Sequence, residues 1–334
     1  MKRYFLSASL ILCTLLFNGC SESNIDKIKQ NETDTLSIVT TCFPAYDLAR
    51  AVKGSDENIT MLLCTGAEAH SYEPTPLDIL KIQQCDMFIY IGGEGEVWAD
   101  EILESMDTSD KYILKLSDYA ELLDEVDILE TNNVHSHHHS HSDNEEDDEH
   151  EECEFDEHIW TSPENMIRMT KAVGNAFIVA DTPNSQIYTG NVEKYEKELF
   201  KLDEAFEKFS EQAESENKNL IVVGDRFPFR YLAKDYHLDY YSAFSGCSSE
   251  SEPSIHTMAF LIDAVLENNI KNVFYLEFST KKVAQKLCEA TGSEMLQLHS
   301  CHNVSGEDFE NGITYIDLMY RNLSNLKRGL LLNE

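Results

Sequence analysis

Short apolar runs alternate with segments of helical spacing through the first part of the chain that follows residue 36. The runs have the β-branched and aromatic content of strands and predict strands at 36–41, 58–63, 87–91 and 112–116. The segments between them predict helices at 44–53, 76–84 and 97–106. Strands that alternate with helices are typical of βαβ units and a parallel sheet, so the pattern predicts an α/β lobe over residues 36–161.

Two long helical segments occupy the middle of the chain. Ser162-Pro163-Glu164 combines a hydroxyl N-cap, a proline at the first helical position and an acid in the first turn, which predicts a helix start. That helix is expected to form a connector over 162–182. Apolar residues then recur at spacings of three and four over 186–216, which predicts an amphipathic helix packed on one side.

The last third repeats the α/β pattern and predicts a second lobe over 183–334. Strands are predicted at 220–224, 239–241, 273–276 and 295–298, and helices at 227–235, 254–268, 280–291 and, as one closing segment, 306–331. The predicted fold class is therefore α/β, with two lobes that each hold a mostly parallel sheet flanked by helices. A long helix joins the lobes and leaves a cleft where the carboxyl ends of the strands can deliver ligands.

The N-terminus has the organisation of an export signal. A basic Met1-Lys2-Arg3 precedes an apolar run over 4–17, which is too short to span a membrane as a mature helix. Gly19-Cys20 resembles the bacterial lipobox, so residues 1–20 are predicted to be a lipoprotein signal peptide with Cys20 as the lipidated residue. The polar segment 21–35 is predicted to be a flexible tether.

The charge balance limits the classes of partner. The 334 residues carry a formal net charge of -35, which argues against nucleic acid or an anionic membrane surface, since both need basic patches. Part of the excess is local, because an acidic run extends over 143–157.

Histidine is concentrated in one stretch. Seven of the twelve histidines lie between His135 and His158, beside that acidic run. Neutral imidazole is the commonest protein ligand for transition metals, so the composition indicates metal handling rather than a merely solvated loop. The loop over 131–155 is predicted to be an accessory metal-binding segment with these histidines: His135, His137, His138, His139, His141 and His150.

Two strings resemble a known family. Ala69-His70-Ser71-Tyr72-Glu73-Pro74-Thr75-Pro76 follows the second predicted strand, and Asp156-Glu157-His158-Ile159-Trp160-Thr161-Ser162-Pro163 precedes the connector helix. Together they are similar to strings of the solute receptors that serve bacterial zinc and manganese ABC importers. A Glu-Pro-Ser element at 252–254 and Glu277 after a strand extend the resemblance, as do Tyr315 and Asn322 in the last helix.

The resemblance implies both fold and function. It implies a rigid connecting helix, with His70 and His158 as metal ligands from the N-terminal lobe. The protein would be a monomeric extracytoplasmic lipoprotein, anchored to the cell membrane by lipid only. It would capture Zn²⁺ as cargo in the cleft and deliver it to an ABC permease, with no enzymatic chemistry. Mn²⁺ remains the alternative cargo.

The sequence departs from the family at the third ligand. Where members carry a histidine early in the second lobe, this chain has Arg226, beside Asp225, and a protonated guanidinium cannot bind a cation. By the same alignment His299 is expected to replace the missing ligand, and the fourth position is open to His302, Asp225, Glu277 or water. Arg226 is expected to pair with Asp225 or Glu277.

The cysteines leave two roles open, a disulfide or ligation of the metal. Beyond Cys13 and Cys20 seven cysteines remain, an odd number, and none forms a C-x-x-C motif that would favour a zinc ribbon. By the family alignment Cys247 and Cys301 lie in loops beside the cleft. A disulfide between them is the preferred prediction, with thiolate ligation as the alternative.

Two other functional classes compete with the receptor. A zinc hydrolase would hold its metal with three protein ligands plus an activated water, but the chain has no H-E-x-x-H string. A surface metal buffer or adhesin would use the His-rich loop as its main site. Ligand type favours zinc over manganese, because imidazoles suit tetrahedral zinc and manganese prefers more oxygen ligands.

Overall fold

The computed structural model describes residues 36–124, 155–246, 248 and 252–332. The predicted signal peptide, the tether, the lipidation site Cys20 and the six accessory histidines lie outside the described residues, as does Cys247. Both sheets belong to one compact unit, Leu36–Glu334.

The strands and helices follow the predicted alternation. The strands are β1 (Ile38–Thr40), β2 (Ile59–Met61), β3 (Met87–Tyr90), β4 (Tyr112–Lys115), β5 (Leu220–Arg226), β6 (Asp239–Phe244), β7 (Asn272–Leu276) and β8 (Glu294–Leu298). The helices are α1 (Phe43–Lys53), α2 (Pro76–Gln84), α3 (Val97–Glu104), α4 (Pro163–Ala180), α5 (Ser185–Ser215), α6 (Arg230–Asp235), α7 (Ile255–Glu267), α8 (Lys282–Thr291), α9 (Gly306–Glu310) and α10 (Tyr315–Gly329).

Two four-stranded parallel sheets form the frame, which confirms the predicted fold class. The first has the order β2-β1-β3-β4 and the second has β6-β5-β7-β8, so the two sheets share one topology. Helices cover the faces, and β3 is accordingly buried along its whole length. In such sheets ligands bind beyond the carboxyl ends of the strands, where the strand order reverses.

Two consecutive helices lead from the first sheet to the second. The Ser162 hydroxyl accepts a hydrogen bond from Asn165 N at 3.2 Å and caps α4, with Pro163 at the first helical position. Helix α4 packs against α5, and α5 packs against both α1 of the first half and α10 of the second. One continuous apolar cluster includes residues of both halves, among them Phe43, Trp160 and Tyr315.

The predicted closing helix is broken in two, which corrects the single segment expected over 306–331. Gly312 has a φ of 70°, a left-handed conformation that ends helical continuity. Thr314 and Asp317 then form a capping box that starts α10. The break therefore follows from local backbone chemistry between the two helices.

Within the part of the chain that the structure describes, no helix is both long enough and apolar enough to cross a membrane.

Candidate metal centre

Three histidines from distant parts of the chain meet between the two sheets. His70 lies in a 3₁₀ turn (Ala69–Ser71) after β2, His158 precedes the turn that leads into α4, and His302 lies in the loop after β8. Their candidate ligand atoms all lie within 4.8 Å of one another. His158 is fully buried and the other two are partly buried. Metal ligands in a common tetrahedral zinc site would be separated by about 3.3 Å, so small side-chain movements would bring these nitrogens onto one ion.

Neighbouring carboxylates orient two of the rings. Nδ1 of His158 lies 2.9 Å from Oδ1 of Asp156, which also accepts the His158 backbone N–H at 2.9 Å. Nδ1 of His70 lies 3.4 Å from Oε1 of Glu157. A carboxylate on one ring nitrogen fixes the tautomer and directs the other nitrogen to the metal, as is usual around histidine ligands.

Glu157 is buried and holds its charge. Burial acts to raise the pKa of this carboxyl, but the hydrogen bond from His70 and the nearby His158 and His302 outweigh burial and lower the pKa to about 2. Gly95 N donates to Oε2 of Glu157 at 2.8 Å. A Cβ at Gly95 would lie 2.6 Å from that oxygen, so a glycine is needed for this close approach.

The loop that carries His302 is clamped onto the first half of the molecule. Phe43 N donates to the His302 carbonyl at 3.1 Å. The Asn303 side-chain amide donates to the carbonyls of Cys64 and Ala67 at 2.8 and 2.9 Å. The His302 ring lies 4.6 Å from the Trp160 ring between centroids. His302 from the second half of the chain therefore lies beside His70 and His158 from the first half.

The His302 imidazole is held in its neutral form. Burial is the main cause that lowers its pKa well below the usual value, and His70 and His158 add to that effect. Metal ligation requires a neutral imidazole. The environment therefore prepares His302 for a cation.

His299 lies elsewhere, which corrects its predicted place in the core of the site. Its Nδ1 accepts the Cys301 N–H at 3.0 Å and lies 3.5 Å from Oε1 of Glu277. The Asn322 amide holds the backbone of His299 through two hydrogen bonds, of 2.7 and 2.8 Å. Cys301 has a φ of 61°, and the turn it makes leaves His299 and His302 lining different cavities.

The two carboxylates considered for the fourth position have other partners. Asp225 accepts backbone N–H groups of Arg226 and Leu276 at 3.0 and 3.3 Å. Glu277 accepts the backbone N–H and the hydroxyl of Ser300 at 2.9 and 2.6 Å. Neither belongs to the histidine group. His302, which had been one of the open alternatives, is the residue that joins His70 and His158.

Arg226 pairs across the cleft rather than within its own half. Its Nη1 lies 3.2 Å from Oε1 of Glu68, two residues before His70. The predicted pairing with Asp225 or Glu277 is therefore wrong, since Asp225 is taken by backbone donors and Glu277 by Ser300. The ion pair links the strand end of β5 to the turn that carries His70.

Cys301 carries a free, buried thiol. Its Sγ lies 3.6 Å from the His299 carbonyl, and burial raises the pKa of the thiol well above its usual value. The structure thus holds no disulfide at Cys301, contrary to the predicted pairing, and Cys247 lies outside the described residues. A protonated thiol of this kind behaves as a small apolar group.

A cavity of about 280 Å³ adjoins the three histidines and continues between the sheets. Ser300 and Asn303 line it beside His302, and the ends of β5 and β7 form its far side. Three imidazoles beside an open space match the donor set of a zinc site that leaves one coordination position to a further ligand.

Sequence reasoning missed the roles of Asp156 and Glu157. Both acids stand directly before His158 in the string that carried the family resemblance, so adjacency to a predicted ligand was an available signal. The reach of Glu157 to His70 could not be read from the chain, because the two residues are 87 positions apart.

Comparison with known proteins places these features in a family. A family model described as "zinc-uptake complex component A periplasmic" matches residues 38–329. The high-affinity zinc uptake system protein ZnuA of Bacillus subtilis is 30% identical over 322 residues, which cover 96% of this chain and 96% of that protein.

The zinc-binding lipoprotein AdcA of Streptococcus pneumoniae is 30% identical over 319 residues, which cover 95% of this chain and 59% of that longer protein. The crystal structure of the Zn(II)-bound ZnuA-like domain of Streptococcus pneumoniae AdcA matches with a TM-score of 0.70 and 26% identity, over 89% of this chain and 99% of that one. Fold and sequence agree, and the chain belongs to the family of the component A receptors of zinc-uptake complexes.

Proposed function

We propose that this protein is the metal receptor of a high-affinity zinc ABC importer and captures Zn²⁺ as cargo with His70, His158 and His302. The observation that carries the proposal is the meeting of these three imidazoles within 4.8 Å, between two sheets and beside an open cavity. The family consists of solute-binding receptors, and the function follows from binding and release rather than from bond chemistry.

The donor set favours zinc over manganese. Three imidazole nitrogens suit tetrahedral Zn²⁺, whereas Mn²⁺ prefers oxygen ligands in higher coordination. The carboxylates close to the group support the same choice, because Asp156 and Glu157 hold histidine rings and Asp225 holds backbone N–H groups. Relatives described as zinc-uptake and zinc-binding proteins are consistent with this cargo.

The family and the predicted signal peptide suggest where the protein acts and which partner receives its metal. An extracytoplasmic receptor of this family works with the permease of an ABC transporter. Residues 1–20 would direct export, and a lipid on Cys20 would anchor a monomeric receptor at the membrane surface. The permease would receive zinc from the cleft.

Capture and release would depend on loops. The apolar cluster that includes residues of both halves resists large changes in their relative position, because a close-packed core does not deform continuously. The turn with His70 and the loop with His302 are joined by hydrogen bonds through Asn303. Opening that contact would separate two of the three ligands without moving a whole sheet.

The His-rich segment 131–155 would act as an accessory, weak binding site that raises the local zinc concentration. Under a metal-buffer or adhesin function the same segment would be the main site. Deleting residues 132–152 separates the two functions. A receptor keeps one tight zinc site per chain after the deletion, whereas a buffer loses tight binding.

Metal analysis with X-ray absorption on the full chain tests the proposal. One zinc per chain with about three nitrogen ligands and a fourth light atom is expected. His158→Ala should weaken zinc binding at least a hundredfold, whereas His299→Ala should retain the zinc site, since His299 faces a different cavity. His256→Ala, at an exposed position on α7, is the surface control. Tight binding that survives His158→Ala would overturn the proposal.

A further inference from the structure

The cavity beside the histidines is larger than one metal ion requires. Its volume is about 280 Å³, whereas a single water needs roughly 15 Å³ of such space. Small-molecule sites begin near about 300 Å³. The cavity lies just below that size, so the space beyond the ligands suits a molecule of only a few heavy atoms beside the ion.

The fourth coordination position also lacks a protein donor among the described residues. The histidine group contains three ligands. Glu277 uses both carboxylate oxygens on Ser300, at 2.6 and 2.9 Å, and Asp225 uses both of its own on backbone N–H groups. A metal on the three histidines would complete its coordination from the cavity.

Three cationic residues, Arg226, Lys282 and Lys286, line that same cavity together with the acids Glu68, Asp225, Glu252 and Glu277. Arg226 stands at the end of β5, with about a fifth of its side chain exposed. A guanidinium has five N–H donors, and the ion pair of Nη1 with Glu68 leaves others for an anion. Lys282 and Lys286 lie four residues apart on one face of α8 and reach the rim.

The two lysines have no ion-pair partner within the described ranges, although the chain as a whole is strongly acidic. Zinc on the three imidazoles would add two positive charges to the cavity that Arg226 also lines. A carboxylate suits such a cavity, because guanidinium pairs with carboxylates in a planar, bidentate manner and zinc accepts carboxylate oxygen.

We propose that the receptor binds its metal together with a small carboxylate anion, which occupies the cavity, completes the coordination of the metal and pairs with Arg226. This inference rests on the proposed function, since it needs a metal on His70, His158 and His302. The cargo would then be a metal–carboxylate complex, or a metal that recruits a carboxylate on arrival.

Cobalt(II) in place of zinc supplies the measurement, because its visible absorption depends on the ligands of the ion. The full chain is loaded with one equivalent of Co²⁺ and titrated with malonate, against sodium nitrate at equal ionic strength. We expect a saturable spectral change with malonate and none with nitrate. The metal-free protein, followed by calorimetry, should bind malonate at least tenfold more weakly.

Variants assign the change to the cavity. Arg226→Gln should weaken malonate binding tenfold or more. The double variant Lys282→Gln/Lys286→Gln should weaken malonate binding a few-fold. Glu68→Gln, which releases Arg226 from its partner, should strengthen malonate binding. Arg168→Gln, at an exposed arginine of α4, is the matched control and should leave it unchanged. Malonate affinity should therefore fall in Arg226→Gln and rise in Glu68→Gln. A general loss of folding would lower the affinity in both variants.

Two results would overturn the inference. One is Co²⁺ that binds at one equivalent but shows no specific malonate response. The other is malonate binding that Arg226→Gln leaves intact. Failure of Co²⁺ and Zn²⁺ to bind at one equivalent, or their retention by His158→Ala, would instead refute the metal site itself. The two failures are therefore distinguishable.

Discussion

Oε1 of Glu157 lies 3.4 Å from Nδ1 of His70, although β3 and β4 lie between the two residues along the chain. The carboxylate stands next to His158 in the chain and holds the ring of a different histidine. One acidic residue thus couples the two ligand-bearing turns of the first half. Asp156 in turn holds the ring of His158, with Oδ1 of Asp156 2.9 Å from Nδ1 of His158.

Glu157→Gln should lower zinc affinity about tenfold to a hundredfold, because loss of the charge beside His70 removes the partner that orients and polarises the ring. Competition with a chromophoric chelator measures the affinity. Glu164→Gln, on the first turn of α4 and exposed, is the control and should bind zinc as the unaltered protein does. Equal affinity for both variants would show that Glu157 has no part in the site.

Acid should destabilise the metal-free protein in two steps. Burial and the neighbouring histidines lower the pKa of His302 in the folded state, so the unfolded chain takes up its proton first and stability falls as pH drops below the usual value of 6.5. The pKa of Glu157 is lowered from 4.5 to about 2, so its contribution is present above pH 4.5 and is lost as pH falls through 2.

Urea denaturation from pH 8 to pH 3 measures this pH dependence. Glu157→Gln should flatten the acid part of the plot of unfolding free energy against pH. In the unaltered protein the carboxyl of Glu157 contributes about 3 kcal/mol at most to that free energy. Zinc affinity should follow the same sign and decrease as pH falls, since protons compete for the imidazoles. A metal-free protein equally stable at pH 7 and pH 4 would contradict the lowered pKa of His302 in the folded state.

Asn303→Ala should weaken both stability and zinc binding. Its buried amide donates to the carbonyls of Cys64 and Ala67, and removal leaves two acceptors unsatisfied at a cost of about 2 kcal/mol. The His302 loop would then lose two of its hydrogen bonds to the first half and keep those from Phe43 N and Gly66 N, so zinc affinity should fall as well.

Asn325→Ala is the matched control, because Asn325 donates to the Gln297 carbonyl at 2.9 Å and lines the cavity of His299 rather than that of the three clustered histidines. A modest loss of stability with unaltered zinc affinity is expected there. Chelator competition and urea denaturation on both variants separate the two effects. Zinc affinity that is unaltered in Asn303→Ala would show that the loop is held in other ways.

Gly95→Ala should disturb the site without touching a histidine. The added Cβ would lie 2.6 Å from Oε2 of Glu157, so the carboxylate must move away from His70 and zinc affinity should fall about tenfold. Gly190→Ala on α5 meets nothing within 4 Å and should raise the free energy of unfolding by about 0.5–1 kcal/mol. Chelator competition and thermal denaturation give the two readouts.

The elements of the fold were predictable because they depend on local chemistry. The Ser162-Pro163 start of α4 and the spacing of apolar residues along α5 act within a few residues. The break at Gly312 was missed, although its signal is equally local: a glycine followed by a Thr314–Asp317 cap. Two of the three clustered histidines, His70 and His158, were found from strings of adjacent residues.

The sequence by itself determined two parallel α/β halves, the positions of their strands and one histidine within each of two family-like strings. Only the tertiary structure decided that His302 rather than His299 completes the group, because the left-handed turn at Cys301 sends the two rings into different cavities. It likewise decided that Arg226 pairs with Glu68, since that contact joins residues 158 positions apart. Side-chain direction after a turn and contact across a cleft depend on three-dimensional packing, which periodicity along a chain does not encode.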